Sequence, residues 1–121
     1  MFRLAMIVLI TAVSCGTGFA QGNPVYSAND YMPACREFVS DSGGAKQQYP
    51  FDRGWCGGFI AGIVFADVVN RMICIPNGAT YGQYVRVVVQ YIDQRPARMH
   101  ETFGKLATEA LRSAWPCKTG Q

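Results

Sequence analysis

Four cysteines, Cys35, Cys56, Cys74 and Cys117, follow an apolar leader that carries a fifth, Cys15. No other feature constrains the chain as much, because covalent cross-links decide which elements can be neighbours. Whether such thiols are oxidised depends on the compartment, and the leader bears on that. Met1 to Ala20 reads MFRLAMIVLITAVSCGTGFA, with one cation at Arg3, an apolar run from Leu4 to Val13 and a small-residue stretch closing on Gly18-Phe19-Ala20. A charged start, a short apolar run and a small-x-small site form a secretory signal, expected over residues 1–20. The run is too short to span a bilayer, which takes about 20 apolar residues. A buried N-terminal helix is the alternative, and the polar stretch Gln21-Gly22-Asn23-Pro24 argues against it. Ala12-Val13-Ser14-Cys15 also forms a weak lipidation box; a lipid on Cys15 is what would hold the chain at a membrane. The chain is expected to be exported from the cytosol, and in an exported chain an even set of thiols reads as a disulfide framework.

Zinc is the competing use of four cysteines. Its sites show close ligand pairs such as C-x-x-C, whereas these cysteines are 21, 18 and 43 residues apart, and the single histidine, His100, has none nearby in sequence. Neither a metal nor another cofactor is expected. The 121 residues are 50% hydrophobic and 16% charged, which describes one compact domain, placed over residues 27–117. A net charge of +3, with no run of Lys and Arg beyond two residues, argues against nucleic acid as a partner.

Periodicity predicts an all-α fold, a small bundle of about four to five helices. Tyr31, Cys35, Phe38 and Val39 fall at helical spacing from Ser27 to Val39, with Ser27, Asn29 and Asp30 as caps. Pro33 fits if the helix proper starts near it. Residues 40–53, with Gly43-Gly44 and Pro50, read as a loop. Gly54 to Ile75 is the most apolar element. Trp55, Phe59, Ile60, Ile63, Val64, Val68 and Met72 form its stripe, widened by Phe65, Val69 and Ile73; Asp67, Asn70 and Arg71 mark a narrow polar edge. Such a helix is expected to sit centrally, with neighbours on several sides. Gly58 and Gly62, with Gly57 and Ala61 beside them, would let a backbone or ring approach closely. A membrane dimer face is the alternative, but it would put Asp67 and Arg71 in hydrocarbon.

Pro76-Asn77-Gly78 is a turn, and Thr80-x-x-Gln83 reads as a capping box. Tyr81, Tyr84, Val85, Val88, Tyr91 and Ile92 then recur at helical spacing. Val85, Val87, Val89 and Tyr91 also alternate as in a strand; the cap and the helical neighbours favour a helix. A last helix is expected from Pro96 through Trp115. Met99, Phe103, Leu106, Ala107, Ala110 and Leu111 line its apolar face, and Glu101–Lys105 and Lys105–Glu109 are spaced as ion pairs on the other.

Four cysteines allow three pairings. Cys56 and Cys74 lie near opposite ends of one expected helix. Their separation is then roughly 27 Å, while a disulfide needs Cα atoms within about 7 Å. An up-down bundle brings the ends of the second and fourth helices to one pole, and the end of the first beside the start of the second. The pairing is therefore Cys35–Cys56 and Cys74–Cys117.

No catalytic constellation emerges. A Cys/His nucleophile would need His100 and a free cysteine, and an even count leaves none. No Asp or Glu stands out as a hydrolytic pair, and the glycines match no nucleotide-binding fingerprint. The chain reads as a binding protein and not an enzyme.

The order of features resembles the Rap/Tai family, the immunity proteins that act against type VI secretion amidase effectors. The resemblance runs through the helix start Cys56-Gly57-Gly58-Phe59-Ile60-Ala61-Gly62, the turn Cys74-Ile75-Pro76 and the helix start Thr80 to Gln83. It continues through Tyr91-Ile92 to Pro96, then His100, then Ala110-Leu111 and the closing Trp115-Pro116-Cys117. It implies a helical periplasmic protein, often a homodimer, that binds and blocks a peptidoglycan-cleaving amidase. Such an inhibitor needs a protruding element that covers the enzyme's cleft. The loop 40–53 supplies aromatic and cationic groups for it, Lys46, Tyr49, Phe51 and Arg53. The alternative is a chaperone-like binding protein of envelope or acid stress, resembling small disulfide-bonded acid-stress chaperones.

Overall fold

The computed structural model describes residues 26–40 and 50–118. They form helices α1 (Ala28–Val39), α2 (Pro50–Val69), α3 (Tyr81–Asp93) and α4 (Phe103–Ala114), with a 3₁₀ turn at Pro96–Arg98. The expected signal over residues 1–20, Cys15, Lys46 and Tyr49 lie outside the described residues. Among the described residues there is no strand beyond an isolated antiparallel bridge, Ser27 to Thr102. The all-α expectation holds.

Local chemistry accounts for most helix starts. The Asp30 carboxylate accepts from the Ser27 N–H at 2.8 Å and from its hydroxyl at 2.7 Å, closing the first turn of α1. That cap sets the start at Ala28, so Pro33 falls inside α1 rather than near its beginning. Proline there removes one ladder donor; burial of Met32, Ala34 and Cys35 holds the helix through it. At α3 the Thr80 hydroxyl accepts from the Gln83 N–H at 3.3 Å. The alternating pattern of Val85–Tyr91 loses to the helical one, because a helix buries Val85, Val88, Val89 and Ile92 on one side.

Two elements differ from the sequence reading. α2 starts at Pro50, not Gly54, so Phe51 and Arg53 are helical and the loop ends before them. Proline's fixed φ suits a first helical position. α2 also ends at Val69 rather than running to Ile75. Arg71 adopts a left-handed conformation (φ 56°), and the Met72 N–H returns to the Asp67 carbonyl at 2.7 Å. Ile73 then drops into the core. The last helix starts at Phe103, not Pro96. Residues between are taken by the start of α1: Ala28 N–H donates to the Glu101 carbonyl, Asn29 N–H to Met99, and Phe103 N–H to Tyr26, each at 3.0 Å.

α1 packs on α2 and α3, α3 on α4, and α2 on α3 and α4. The centre is filled by Met32, Ile60, Val85, Val88, Ile92, Phe103, Leu106 and Leu111, each essentially without exposure. Both disulfides form as deduced, Cys35–Cys56 with Cα atoms 5.5 Å apart and Cys74–Cys117 at 4.8 Å. The first is buried between α1 and α2. The second joins the α2–α3 connection to the segment after α4, beside a Cys74 N–H to Trp115 carbonyl bond of 2.9 Å.

Candidate functional site

α2 presents two unlike faces. Its inner face buries Cys56, Ile60, Val64 and Asp67. Asp67 is not a polar edge: it is 7% exposed, and its carboxylate accepts from Arg112 Nη2 at 2.9 Å and Nε at 3.2 Å. That hydrogen bond raises the pKa of Arg112. The pair ties α2 to the last turn of α4.

The outer face of α2 is apolar and open. Phe51, Phe65, Val68, Val69 and Met72 are exposed there or just past the helix end. Among the described residues, Gly54, Gly58 and Gly62 have no atom from outside their own stretch of helix within 4 Å of where a Cβ would stand. The expected close approach occurs only at Gly57, where the Tyr81 hydroxyl and the Phe38 ring occupy the space of a side chain. That burial also pushes the Tyr81 phenol up from its ordinary value. So α2 has neighbours on several sides, in α1, α3 and α4, as expected, but most of its small-residue strip faces outward.

At its first turn α2 carries the two described members of the candidate partner-binding set. Phe51 is 81% exposed and begins the open face. Arg53 is half-buried, with its Nε enclosed and no acceptor among the described residues. Lys46 and Tyr49 are outside the described residues, and of the other two it is Phe51 that faces solvent. An aromatic stack anchors this end of the helix. Trp55 lies on Tyr31 with ring centroids 3.5 Å apart and on Phe59 at 4.8 Å, and Phe103 flanks both Trp55 and Phe59.

The surface around α4 is polar and internally paired. Arg98 meets Glu101 at 2.6 Å and Glu109 at 2.8 Å, and Lys105 meets Glu101 at 2.7 Å. The Tyr91 hydroxyl donates to Glu109 at 3.2 Å. Glu109 is thus engaged by Arg98 and Tyr91, where the helical spacing had assigned it to Lys105. These hydrogen bonds, from Arg98 first and then Lys105, hold the Glu101 carboxyl down at about 2. His100 is exposed on the preceding turn. Among the described residues, no cluster of three His, Cys, Asp or Glu could hold a metal ion, and no helix is long and apolar enough to cross a membrane.

Residues 27–117 match the family model of the Rap1a immunity proteins. The chain belongs to the Rap1a immunity protein family. No match was found among the curated proteins or among the solved structures. The Rap1a match runs from the cap of α1 to the last cysteine, so it takes in all four helices and both disulfides. Membership implies an effector-immunity role with a protein partner, and Rap1a-type immunity proteins are in general not enzymes. The structure also gives a reason for one Rap1a-like motif: in Cys56-Gly57 the cysteine bonds to α1 while the glycine admits Tyr81.

Sequence reasoning missed the outward placement of Phe65, Val68, Val69 and Met72, which it assigned to buried stripes. A signal was present: Phe51, Gly58, Phe65 and Met72 are seven residues apart, the interval of a helix seam directed at another helix.

Proposed function

We propose that this protein is exported to the periplasm, where it binds and neutralises a peptidoglycan-degrading amidase effector. The match of residues 27–117 to the Rap1a immunity proteins carries this reading. Two disulfides in one small domain support export, since such bonds persist in oxidising compartments. Residues 1–20 act as the signal, and 27–117 are the binding domain. Inhibition by occlusion asks for no chemistry from the inhibitor, only a rigid base and side chains that fill the enzyme's cleft. The segment 40–53 is our candidate, with Lys46, Tyr49, Phe51 and Arg53 as contact residues. Support comes from its root: Phe51 stands exposed on α2, while Trp55 one turn further on is clamped between Tyr31 and Phe59.

Co-expression with a secreted amidase encoded beside it tests the reading. The expected result is protection of the cell wall and a stable complex of the two proteins. Deleting residues 43–49 should abolish binding without lowering the melting temperature. An amidase left fully active by the intact protein would overturn the function, and undiminished binding by the deletion variant would remove the segment from it.

A further inference from the structure

The two disulfides have unlike surroundings. Cys35 and Cys56 stand on α1 and α2 and are fully buried. Cys74 and Cys117 lie in the irregular segments after α2 and α4, where Cys74 is exposed and Cys117 half-buried. We propose that Cys74–Cys117 is a thiol–disulfide exchange site, opened in the folded protein by the thiolate of a dithiol reductant while Cys35–Cys56 stays closed. The proposal is independent of the amidase reading.

Access and charge both favour the second bond. Cys74 and Cys117 line one open cleft of about 380 Å³ together with Val68, Arg71, Ile73 and Ile75. A thiolate enters that cleft directly, whereas it reaches Cys35–Cys56 only when α1 and α2 part. Arg71 brings a positive charge to the cleft wall. Its place there is set by the left-handed turn, with its own N–H donating to the Val68 carbonyl at 3.0 Å. Lys118, directly after Cys117, is exposed beside it. Cations stabilise thiolates, the species through which exchange proceeds. The carboxylate at this end of α2, Asp67, does not oppose them, because it is buried on Arg112.

The exchange takes two steps. The attacking thiolate bonds to the Sγ of Cys74, the more exposed residue, and the S–S electron pair departs on Cys117 Sγ as a thiolate. The second thiolate of the reductant then displaces Cys74 Sγ. The reductant ends as a disulfide, and the two cysteines gain the two electrons and two protons it has lost. The bundle outlasts the loss of this bond. Ile73 is buried in the core, and the Cys74 N–H remains bonded at 2.9 Å to the carbonyl of Trp115, whose ring stands edge-on to Tyr84. What is released is the covalent tie between the α2–α3 connection and the segment after α4.

Dithiothreitol added to the folded, oxidised protein without denaturant, followed by timed alkylation and peptide mapping, tests the site. Cys74 and Cys117 should be alkylated on the order of 100-fold faster than Cys35 and Cys56, because the buried bond needs an opening event first. Helix content should hold meanwhile. Reduced glutathione, a monothiol, should be trapped as a mixed disulfide on Cys74. Arg71→Gln should slow the first step by about 3- to 10-fold and leave the melting temperature of the oxidised protein unchanged. Alkylation of all four cysteines at one rate, or loss of helix content as Cys74 and Cys117 are reduced, overturns the proposal. Glutathione found on Cys117 instead overturns the choice of sulfur attacked, and an unchanged rate in Arg71→Gln overturns the role of the cation.

Discussion

Around α4, Glu101, Lys105 and Glu109 are held by one another, by Arg98 and by Tyr91, so that side of the bundle meets water with its charges already matched. Around the outside of α2, Phe51, Phe65 and Val69 meet it with nothing. Both helices bury their opposite faces in one core, with Ile60 and Leu106 fully enclosed. The difference therefore lies outside the core and is not explained by stability of the monomer. It teaches that α4 pairs the charges of its own surface, whereas α2 leaves apolar side chains exposed on its outer side. Polarity on α2 is inverted: its carboxylate at Asp67 points inward, and Phe51 and Phe65 are exposed.

The largest expected effect separates the two faces of α2. Ile60→Ala should destabilise by about 2–5 kcal/mol in urea unfolding, as for a large buried aliphatic. Phe65→Ala, measured at dilution, should stay within about 0.5 kcal/mol of wild type. Equal losses would erase the distinction. Next in size is the tie between the helices. Arg112→Met leaves the Asp67 carboxylate buried without its donor and should cost about 1–2 kcal/mol, less than a fully enclosed pair because Arg112 is itself partly exposed. Asp67→Asn combined with Arg112→Met should recover part of that loss.

The smallest effect belongs to the matched surface of α4. Glu101 titrates near 2 when folded and near 4.5 ordinarily. Its folded value is lowered, so its stabilisation is present above the ordinary value and disappears as pH falls from about 5 toward 2. Glu101→Gln should flatten that acid limb in melting experiments. Added salt should shrink the difference between variant and wild type, since these pairs are solvent-facing.

Much of the fold was legible because it rests on local chemistry and on chain geometry. Ser27 with Asp30 and Thr80 with Gln83 announce two helix starts, and the length of one helix excludes the Cys56–Cys74 pairing. The boundaries that escaped are set by contacts distant in sequence. Nothing near Pro96 says that Met99 and Glu101 will give their carbonyls to Asn29 and Ala28. Arg71 is not a residue that signals a left-handed turn, so the end of α2 was read too late. The candidate site was legible only in part. Phe51 could be named from composition, but the direction of α2 could not, because an apolar helix has no solvated stripe to orient it. The seven-residue interval was the available cue.

Each bridge joins cysteines that are consecutive along the chain, Cys35 with Cys56 and Cys74 with Cys117. A polypeptide threaded through a translocon N-terminus first, and oxidised as it emerges, finds each correct partner to be the next thiol delivered. Under the proposed export, pairing these four thiols in their order of emergence calls for an oxidant but no reshuffling by an isomerase.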